Sequence, residues 1–293
     1  MKKQTMDIAA SVKARLFNIA GTTGKPYDEL LKLFAMERLL YRLGKSRFKA
    51  ILTLKGALFF LVRNVPGRRT TLDIDFLARN GNDPEKIAGM VGKICSVPVK
   101  NDGIRYDAGT ITAAKTREDA EYSGVRVKLT AYIERTRIPV QLDFGFGDVI
   151  YPGAEKIDYP VLLDFPAPRL KVYPPETVVS EKFEAMVRLG DLNSRMKDFY
   201  DLWLIFRSFK LDKTEVAKAV KKTFERRHTQ LPKDDRLFSE DIYDKNSDRQ
   251  ILWSAFLRKN NIEKAPKLLS DTAAEIRKQL LKSVELIRKG KKL

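Results

Sequence analysis

The spacing of hydrophobic residues changes along this chain, and the change predicts where helices and strands lie. Near the start, apolar residues recur every three or four positions, which is the spacing of a helix face. This spacing predicts helices over Asp7–Ile19 and from Pro26 to Gly44. From residue 50 onwards the apolar runs become short or alternating, as in strands, and two further helices are predicted at Gly56–Val65 and Glu85–Ile94.

Five strands are predicted in this region, at Ala50–Leu54, Leu72–Phe76, Ile104–Ile111, Val125–Ile133 and Ile138–Phe144. Alternation is strictest in the fourth, where apolar residues occupy one face and Arg126, Lys128 and Thr130 the other. Because Arg135-Thr136-Arg137 predicts a turn, the last two strands should form an antiparallel hairpin. This order of elements indicates a small sheet with flanking helices.

A second region, beyond an irregular proline-rich stretch at Tyr151–Pro168, has helical spacing. Five helices are predicted there, at Pro175–Leu189, Lys197–Phe209, Asp212–Arg227, Asp248–Lys259 and about Ser270–Lys289. The polar stretch Leu231–Asp244 is predicted to be a loop. We therefore expect an α+β protein in which an α/β domain with N-terminal helices (residues 1–165) precedes a helical bundle domain (residues 166–293).

Two carboxylates share the polar face of the second predicted strand. Successive side chains of a strand point to opposite faces, so Asp73 and Asp75 lie together while the apolar residues around them face the core. Carboxylates about 6–7 Å apart along a strand repel each other unless a cation lies between them. A hard divalent cation, such as Mg²⁺ carrying the phosphates of a nucleotide, satisfies such a pair.

Two neighbouring features fit a nucleotide site beside this pair. Upstream, Leu54-Lys55-Gly56 predicts a strand, a glycine turn and a helix, whose N-terminal N–H groups can bind a phosphate. Downstream, Asp143 lies on the polar face of the last predicted strand and adds a third carboxylate. A glycine turn followed by Asp-x-Asp on the next strand is the layout of a nucleotidyl-transfer site.

The charge balance indicates what kind of partner the chain binds. The chain carries 56 Lys and Arg against 38 Asp and Glu, a net charge of +18. Such an excess is typical of proteins that bind nucleic acid, although a lysine-rich surface without a polyanionic partner is the alternative. With one cysteine and one histidine, a zinc site is a poor expectation, and the chemistry falls to Asp, Glu, Lys and Arg.

The cysteine content and the lengths of the apolar runs indicate the cellular compartment of the protein. The single Cys95 excludes an internal disulfide framework, which fits a reducing cytoplasm. No apolar run reaches the roughly 18–20 residues of a membrane span, and the first residues lack the apolar core of a signal peptide. We therefore expect a cytoplasmic protein with no membrane partner.

Charged residues occupy two unusual positions in the helical region. Lys182 falls on the apolar stripe of its helix, so its side chain either snorkels to solvent or points into a cleft to meet an anion. Asp198 and Asp201 are neighbours at the start of the next helix, where acidic side chains also stabilise the helix on their own account.

Five motifs follow one another along the chain: Glu37-Arg38-Leu39-Leu40-Tyr41-Arg42-Leu43, Leu54-Lys55-Gly56, Arg69-Thr70-Thr71-Leu72-Asp73-Ile74-Asp75, Pro175-Glu176 with Glu181-Lys182, and Lys197-Asp198 with Asp201-Leu202. In this order they resemble the AbiEii/AbiGii toxin family, over roughly residues 36–206. These nucleotidyltransferase-like proteins are toxins of type IV toxin–antitoxin and abortive-infection systems and include the MenT toxins.

The resemblance implies a polymerase-β-type nucleotidyltransferase domain followed by a helical domain. It also implies a cognate antitoxin, usually a winged-helix protein. In MenT-type members the activity is transfer of nucleotides from an NTP to the 3′ end of tRNA, which blocks aminoacylation. Other members have less certain targets.

For the site, the resemblance implies metal ligands, nucleotide-binding residues and catalytic residues. The ligands of Mg²⁺ or Mn²⁺ are Asp73 and Asp75, and Asp143 fits a third carboxylate by its position. Nucleotide phosphates are the expected partners of Lys55, Gly56, Arg69 and Lys182. The catalytic set is Asp73, Asp75, Lys182 and Asp198.

One departure from the family leaves alternatives open. Where the family usually has a second glycine next to Thr or Ser, this chain has Ala57 and Leu58, so a hydroxyl ligand for phosphate is missing. The chain could instead be a nucleotidyltransferase acting on a protein, a small molecule or its own antitoxin, or an inactive binder of nucleotide or RNA. In a further alternative, Asp73 and Asp75 are surface carboxylates paired with Arg68 and Arg69.

Overall fold

Two compact units make up the chain. The computed structural model describes residues 7–116, 124–190, 193–232, 238 and 243–289, and within them the predicted α+β class is confirmed. Unit 1 comprises Met1–Asn64, Thr71–Gly147 and Lys156–Val172, and unit 2 comprises Val65–Thr70, Asp148–Glu155 and Tyr173–Leu293. The domain boundary at residue 165 stays a prediction, because compactness does not show which segments fold independently.

Helices and one sheet form unit 1. Its helices are α1 (Ile8–Thr23), α2 (Tyr27–Lys45), α3 (Leu58–Val62) and α4 (Pro84–Cys95), and Arg47–Ala50 forms a short 3-10 helix. The strands of the sheet are β1 (Leu52–Lys55), β2 (Asp73–Ala78), β3 (Arg105–Thr116), β4 (Gly124–Ile133), β5 (Thr136–Phe146), β6 (Glu155–Asp158) and β7 (Arg169–Val172). Glu155, the first residue of β6, is assigned to unit 2.

The sheet is mixed, with the strand order β3-β4-β5-β2-β1-β7-β6. Neighbours β3 and β4, β4 and β5, and β1 and β2 are antiparallel, whereas β2 and β5, and β1 and β7, are parallel. The β4–β5 hairpin confirms the predicted one. The sequence pattern misses β6 and β7, because each is only four residues long and lies in or beside the proline-rich stretch.

One face of the sheet is apolar and forms the core of unit 1. Leu54, Phe76, Phe144 and Val125 are Cα partners in a row across four strands, and all are at most 2% exposed. This face packs against α1, α2 and α4. Since the side chains alternate along each strand, the opposite face of the same four strands is left for polar residues.

Side-chain caps determine where α1 and α4 begin. Oδ1 of Asp7 accepts the N–H groups of the residues two and three positions on, and Asp83 does the same at α4, where Pro84 occupies the first helical position. These caps satisfy N–H groups that have no partner inside the helix. They explain why the predicted starts of both helices agree with the structure to within one residue.

An ion cluster is buried in unit 1 beside α2. Arg42 donates to both carboxylate oxygens of Asp102, at 2.7 and 3.0 Å, and Nε of Arg38 donates to the same carboxylate at 3.1 Å. Glu37 accepts the N–H of Leu162 at 2.7 Å and lies 3.4 Å from Arg38. The cluster therefore connects α2 to the segments that precede β3 and β7. Removing one member would leave a buried charge unpaired, which is strongly destabilising.

We expect Glu37→Gln to remove a pH dependence from the stability of the protein. Burial raises the pKa of Glu37 from 4.5 to about 7, although the Leu162 N–H and Arg38 lower it. Between these values the folded chain holds a proton that the unfolded chain has released, so the free energy of unfolding falls as pH rises. A pKa difference of one corresponds to about 1.4 kcal/mol, so the free energy of unfolding should fall by roughly 3 kcal/mol as pH rises and Glu37 ionises.

Denaturant titrations of both proteins at pH 4.5, 6 and 7.5 measure this effect. The decrease in the free energy of unfolding with pH should be smaller in the glutamine variant. Parallel pH curves for the two proteins would show that Glu37 is ionised in the fold.

Unit 2 is helical. Its helices are α5 (Pro175–Leu189), α6 (Met196–Ser208), α7 (Lys213–Arg226), α8 (Asp248–Lys259) and α9 (Leu269–Arg288). The five predicted helices are confirmed, with ends that differ by no more than one residue. The predicted loop at Leu231–Asp244 lies largely outside the described residues. None of the helices in the described part of the chain has the length and apolarity that a membrane span requires.

Candidate active site

A row of charged side chains crosses the polar face of the sheet in unit 1. Lys55 on β1 is the Cα partner of Asp75 on β2, which is the partner of Asp143 on β5, which is the partner of Arg126 on β4. Neighbouring strands lie about 4.8 Å apart, so the two carboxylates are adjacent and repel each other. Lys55 and Arg126 flank the pair in the row and offset part of this repulsion, and a bound cation would offset more of it.

The turn after β1 brings backbone close to the acidic pair. Gly56 has φ +66°, and a Cβ at this position would overlap the carboxylate of Asp75. Glycine therefore allows both the left-handed backbone and the close approach to Asp75. Lys55 extends across the same face, since a Cβ on Gly145 of β5 would lie 3.2 Å from its Nζ. Two of the four residues predicted to bind phosphate, Lys55 and Gly56, thus lie beside carboxylates predicted to bind metal.

The second row on this face opens into a surface pocket. Asp73 is the Cα partner of Gln141 on β5, which is the partner of Lys128 on β4. These residues line a pocket of about 480 Å³, together with Lys32 of α2 and Arg137 of β5. A pocket with an exposed carboxylate at one side and three cations around it suits a metal-bound phosphate or the backbone of a nucleic acid.

Asp143 has a tightly bound partner of its own. Arg126 donates from Nε and Nη2 to the two oxygens of Asp143, at 2.7 and 3.0 Å, and Gln141 donates to it at 3.3 Å. A bidentate arginine occupies much of the capacity of a carboxylate to accept further bonds. The role of Asp143 as a third metal ligand stays a prediction, and the structure adds Arg126 as the residue that orients it.

Asp73 and Asp75 fit a magnesium ion that also binds phosphate. Mg²⁺ in nucleotide sites is commonly held by one or two carboxylates plus substrate phosphates and water. Asp73 is exposed and Asp75 half-buried, and both lie on the same strand face. Among the described residues, no three His, Cys, Asp or Glu side chains form a group that could hold a metal by themselves. Phosphate oxygens would therefore have to complete the coordination.

The carboxylates predicted in the helical region meet Lys182 inside unit 2. Nζ of Lys182 donates to Asp198 at 2.7 Å and lies 2.8 Å from Asp201, and its side chain is 15% exposed. Burial acts to lower the pKa of Lys182, but the two carboxylates outweigh it and raise the pKa. Of the two alternatives for this lysine, snorkelling is therefore wrong: the side chain points inward and meets carboxylates.

Two arginines complete this buried ion cluster. Arg69, in the short segment of unit 2 at Val65–Thr70, donates to both oxygens of Asp201 at 3.0 and 3.1 Å. Arg195 donates to Asp198 at 2.7 Å. Burial acts to raise the pKa of Asp198, yet Lys182 and Arg195 lower it to about 2. Asp198 is therefore ionised at neutral pH, and together Asp198 and Asp201 bind three cations.

The predicted site residues thus form two groups, one in each unit. Unit 1 brings together Asp73, Asp75, Asp143, Lys55 and Gly56, and unit 2 brings together Lys182, Asp198 and Arg69. Three further residues of these groups were outside the predicted set: Arg126, Asp201 and Arg195. The register of the predicted β4–β5 hairpin could have paired Arg126 with Asp143. The pairing of Asp201 with Lys182 joins two helices and has no local signal.

The two residues after the glycine turn, which lack the hydroxyl that is usual in the family, are buried. Ala57 is 4% exposed and precedes α3, whose Leu58 is fully buried. The side chain of Leu58 packs into the core, and Ala57 has no polar side-chain group. These two positions therefore offer only backbone groups to a ligand. The predicted departure from the family pattern at Ala57 and Leu58 therefore concerns phosphate binding more than folding.

A mixed sheet with Asp-x-Asp on one strand beside a glycine turn defines a nucleotidyltransferase class of fold. Two crystal structures from Helicobacter pylori are similar to this chain, one described as a candidate nucleotidyltransferase and one as JHP933. Each has a TM-score of 0.50 and 13% identity and covers 86% of this chain, and 93% and 91%, respectively, of its own chain. At this identity the similarity shows the fold alone. No curated protein sequence matches this chain.

A match to a protein-family sequence model shows which family the chain belongs to. The model described as "Nucleotidyl transferase AbiEii toxin, Type IV TA system" matches residues 38–275, which is most of the chain. The chain therefore belongs to the AbiEii family of nucleotidyltransferase toxins, and the resemblance inferred from its motifs is confirmed. Membership in a type IV toxin–antitoxin family also implies an antitoxin partner.

Proposed function

We propose that this chain is a toxin that transfers nucleotides from an NTP to an RNA acceptor, the 3′ end of tRNA. The proposal rests above all on one observation: Asp73 and Asp75 share the polar face of β2 next to the turn at Gly56, in a chain of this family. The basic surface expected from a net charge of +18 supports an RNA acceptor over an uncharged one.

The proposed reaction is an in-line displacement. The RNA 3′-hydroxyl oxygen forms a bond to the α-phosphorus of the NTP, the bond from that phosphorus to the bridging oxygen breaks, and pyrophosphate leaves. The hydroxyl proton is released to solvent or to a carboxylate. A bound Mg²⁺ or Mn²⁺ ion would neutralise phosphate charge and lower the pKa of the attacking hydroxyl.

Residues of unit 1 have distinct tasks in this proposal. Asp73 and Asp75 hold the metal, and the backbone of the Gly56 turn together with Lys55 binds phosphate oxygens. Lys32, Lys128 and Arg137, which line the pocket beside Asp73, hold the acceptor backbone. For Lys182 and Arg69 the family resemblance implies contacts with the nucleotide phosphates, and for Lys182 and Asp198 it implies a catalytic role; these assignments stay predictions.

Incubating the full chain with total tRNA, Mg²⁺ and each of the four labelled NTPs in turn tests the proposal. Label in RNA with release of pyrophosphate, both abolished by EDTA, is the expected result and also identifies the NTP. Label in polypeptide or in a small molecule would instead support a different acceptor. Absence of label and of pyrophosphate with all four NTPs would support an inactive binder.

The partner and the compartment are part of the same proposal. The family implies an antitoxin, and we propose a winged-helix protein encoded beside this chain. We also propose that the toxin acts in the cytoplasm, where tRNA and NTPs are both present. Growth arrest on expression, reversed by co-expression of the neighbouring gene, tests both points.

A further inference from the structure

A second pocket in unit 1 is lined by cations together with small, aromatic and apolar residues. It lies where the C-terminal end of α2 meets β7, with a volume of about 540 Å³. The cationic lining residues are Lys45, Lys49, Lys156, Arg169 and Lys171. It shares no lining residue with the pocket beside Asp73.

The close packing of α2 on β7 shapes this pocket. A Cβ on Gly44 would lie 3.4 Å from the carbonyl oxygen of Arg169, so glycine lets the helix end approach the strand backbone. Nζ of Lys171 donates to the carbonyl of Ala50 at 2.8 Å and ties the strand to the 3-10 helix. The pocket is therefore formed by packed elements of the fold and does not depend on loop tips.

Among the described residues, the cations of the pocket have one acidic partner, Asp158. Arg169 lies 3.9 Å from Asp158, and both side chains are mostly exposed, so this contact is weak. In the part of the chain that the structure describes, Lys45, Lys49 and Lys156 have no carboxylate within ion-pair distance. None of the described residues that line the pocket is an Asp or a Glu. Five like charges around one cavity repel each other, and a bound polyanion would relieve that repulsion.

Aromatic and apolar atoms line the same pocket. Tyr41 lies among its lining residues, and Nζ of Lys45 is 5.6 Å from the centre of the tyrosine ring. Leu170 and Pro168 add apolar surface. The guanidinium of Arg38 also lies over the Tyr41 ring, 4.3 Å from its centre. Cations beside an aromatic ring are usual elements of a single-stranded nucleic-acid site.

We propose that this pocket is a docking site for the sugar–phosphate backbone of RNA, separate from the acidic face where transfer is proposed. Five cations around one pocket exceed what one phosphate needs, and they suit the repeated phosphates of a nucleic-acid backbone. The inference deepens the proposed function, on which it rests for the identity of the polyanion. It assigns the RNA acceptor a second contact on the toxin, which would favour an RNA that reaches both contacts over a free nucleotide.

A charge-reversal pair with a matched control tests this site by binding alone. Fluorescence anisotropy with a fluorescein-labelled tRNA transcript, at constant Mg²⁺ and without NTP, compares the wild-type chain, K49E/K156E and K86E/K93E. The control pair makes the same change of charge in unit 1 on two exposed lysines of α4. All four lysines are exposed, and unfolding temperatures verify that both variants fold. The milder K49Q/K156Q pair repeats the test should the glutamate pair be unstable.

The pocket pair should weaken tRNA binding at least about tenfold, and the slope of log K against log salt should fall by about 1.5, since each phosphate contact contributes roughly 0.7–0.9. The control pair should change the affinity by less than about threefold. Equal losses in both pairs, or unchanged tRNA affinity in the pocket pair, would overturn the proposal. A loss confined to ATP binding, measured in parallel, would assign the pocket to the nucleotide and would also overturn it.

These outcomes are separate from those of the transfer assay. If the wild-type chain binds tRNA through the pocket but labels no RNA, the docking site stands and the proposed function fails. If RNA is labelled and the pocket pair binds tRNA as well as the wild-type chain does, the docking site fails and the proposed function stands.

Discussion

Asp75→Asn should lower nucleotide incorporation by about 1000-fold or more while the chain stays folded. The change keeps the shape of the side chain and removes the negative charge from the centre of the row formed by Lys55, Asp75, Asp143 and Arg126. A metal site supplies several kcal/mol of charge stabilisation, and each ~1.4 kcal/mol is tenfold in rate. Loss of one of two carboxylate ligands therefore affects the rate far more than the stability.

The measurement is incorporation of labelled NTP into tRNA at several Mg²⁺ concentrations. Asp83→Asn is the matched control, because it makes the same chemical change in unit 1 at the N-cap of α4, where asparagine caps as well as aspartate. The control should keep wild-type activity. Asp75→Asn retaining more than about a tenth of wild-type activity would remove Asp75 from the metal site, because a ligand loss of only ~1.4 kcal/mol is too small for that role.

The polar face of the sheet could be predicted because it depends on local alternation. A strand has period two, so the apolar neighbours of Asp73 and Asp75 determine which face these carboxylates share. The same alternation placed Asp143 correctly on β5. Neither inference needed the strand order, which brings β5 next to β2 as a parallel partner.

The strand order could not be predicted because it depends on contacts distant in sequence. Strand β7 is four residues long, and its register with β1 is the pairing of Leu54 with Val172. Nothing in a four-residue run of Arg-Leu-Lys-Val specifies a partner so far away. Consequently the pocket between α2 and β7, which depends on that pairing, has no signal in the sequence pattern.

Buried ion clusters were the other features that local patterns could not predict. Glu37, Arg38 and Arg42 belong to a family-like motif, but their partner Asp102 lies in a segment without regular structure. In unit 2, the local sequence predicts only that Asp201 stabilises the start of a helix. In the structure it is completely buried between Lys182 and Arg69. Charged motif residues therefore have a structural role in each unit, in addition to any role at the substrate.

Lys182→Met should destabilise the protein by about 3 kcal/mol at pH 7. Methionine fills similar space, but it leaves Asp198 and Asp201 without the cation between them, and breaking a buried ion pair costs about 3–5 kcal/mol. The lower end of that range applies because Arg195 and Arg69 still bind the two carboxylates. Chemical denaturation measures the change.

Lys218→Met is the control for this variant. Lys218 pairs with Glu215 at 2.9 Å on the surface of α7. A surface ion pair contributes at most about 1 kcal/mol, so the control should lie within that of the wild-type chain. An equal loss in the two variants would mean that Lys182 belongs to no buried cluster.

The pH dependence of the Lys182→Met penalty separates charge from packing. In the wild-type chain the pKa of Asp198 is about 2, below its ordinary 3.8, so this group contributes stability that is present above pH 3.8 and lost as pH falls towards 2. Without Lys182, burial shifts the pKa of Asp198 upward, and the variant gains stability when that carboxyl is protonated. The difference between wild type and variant should therefore be largest near pH 7 and shrink towards pH 4. A penalty independent of pH would instead assign the loss to packing of the lysine stem, and it would leave the ammonium of Lys182 free to meet a phosphate.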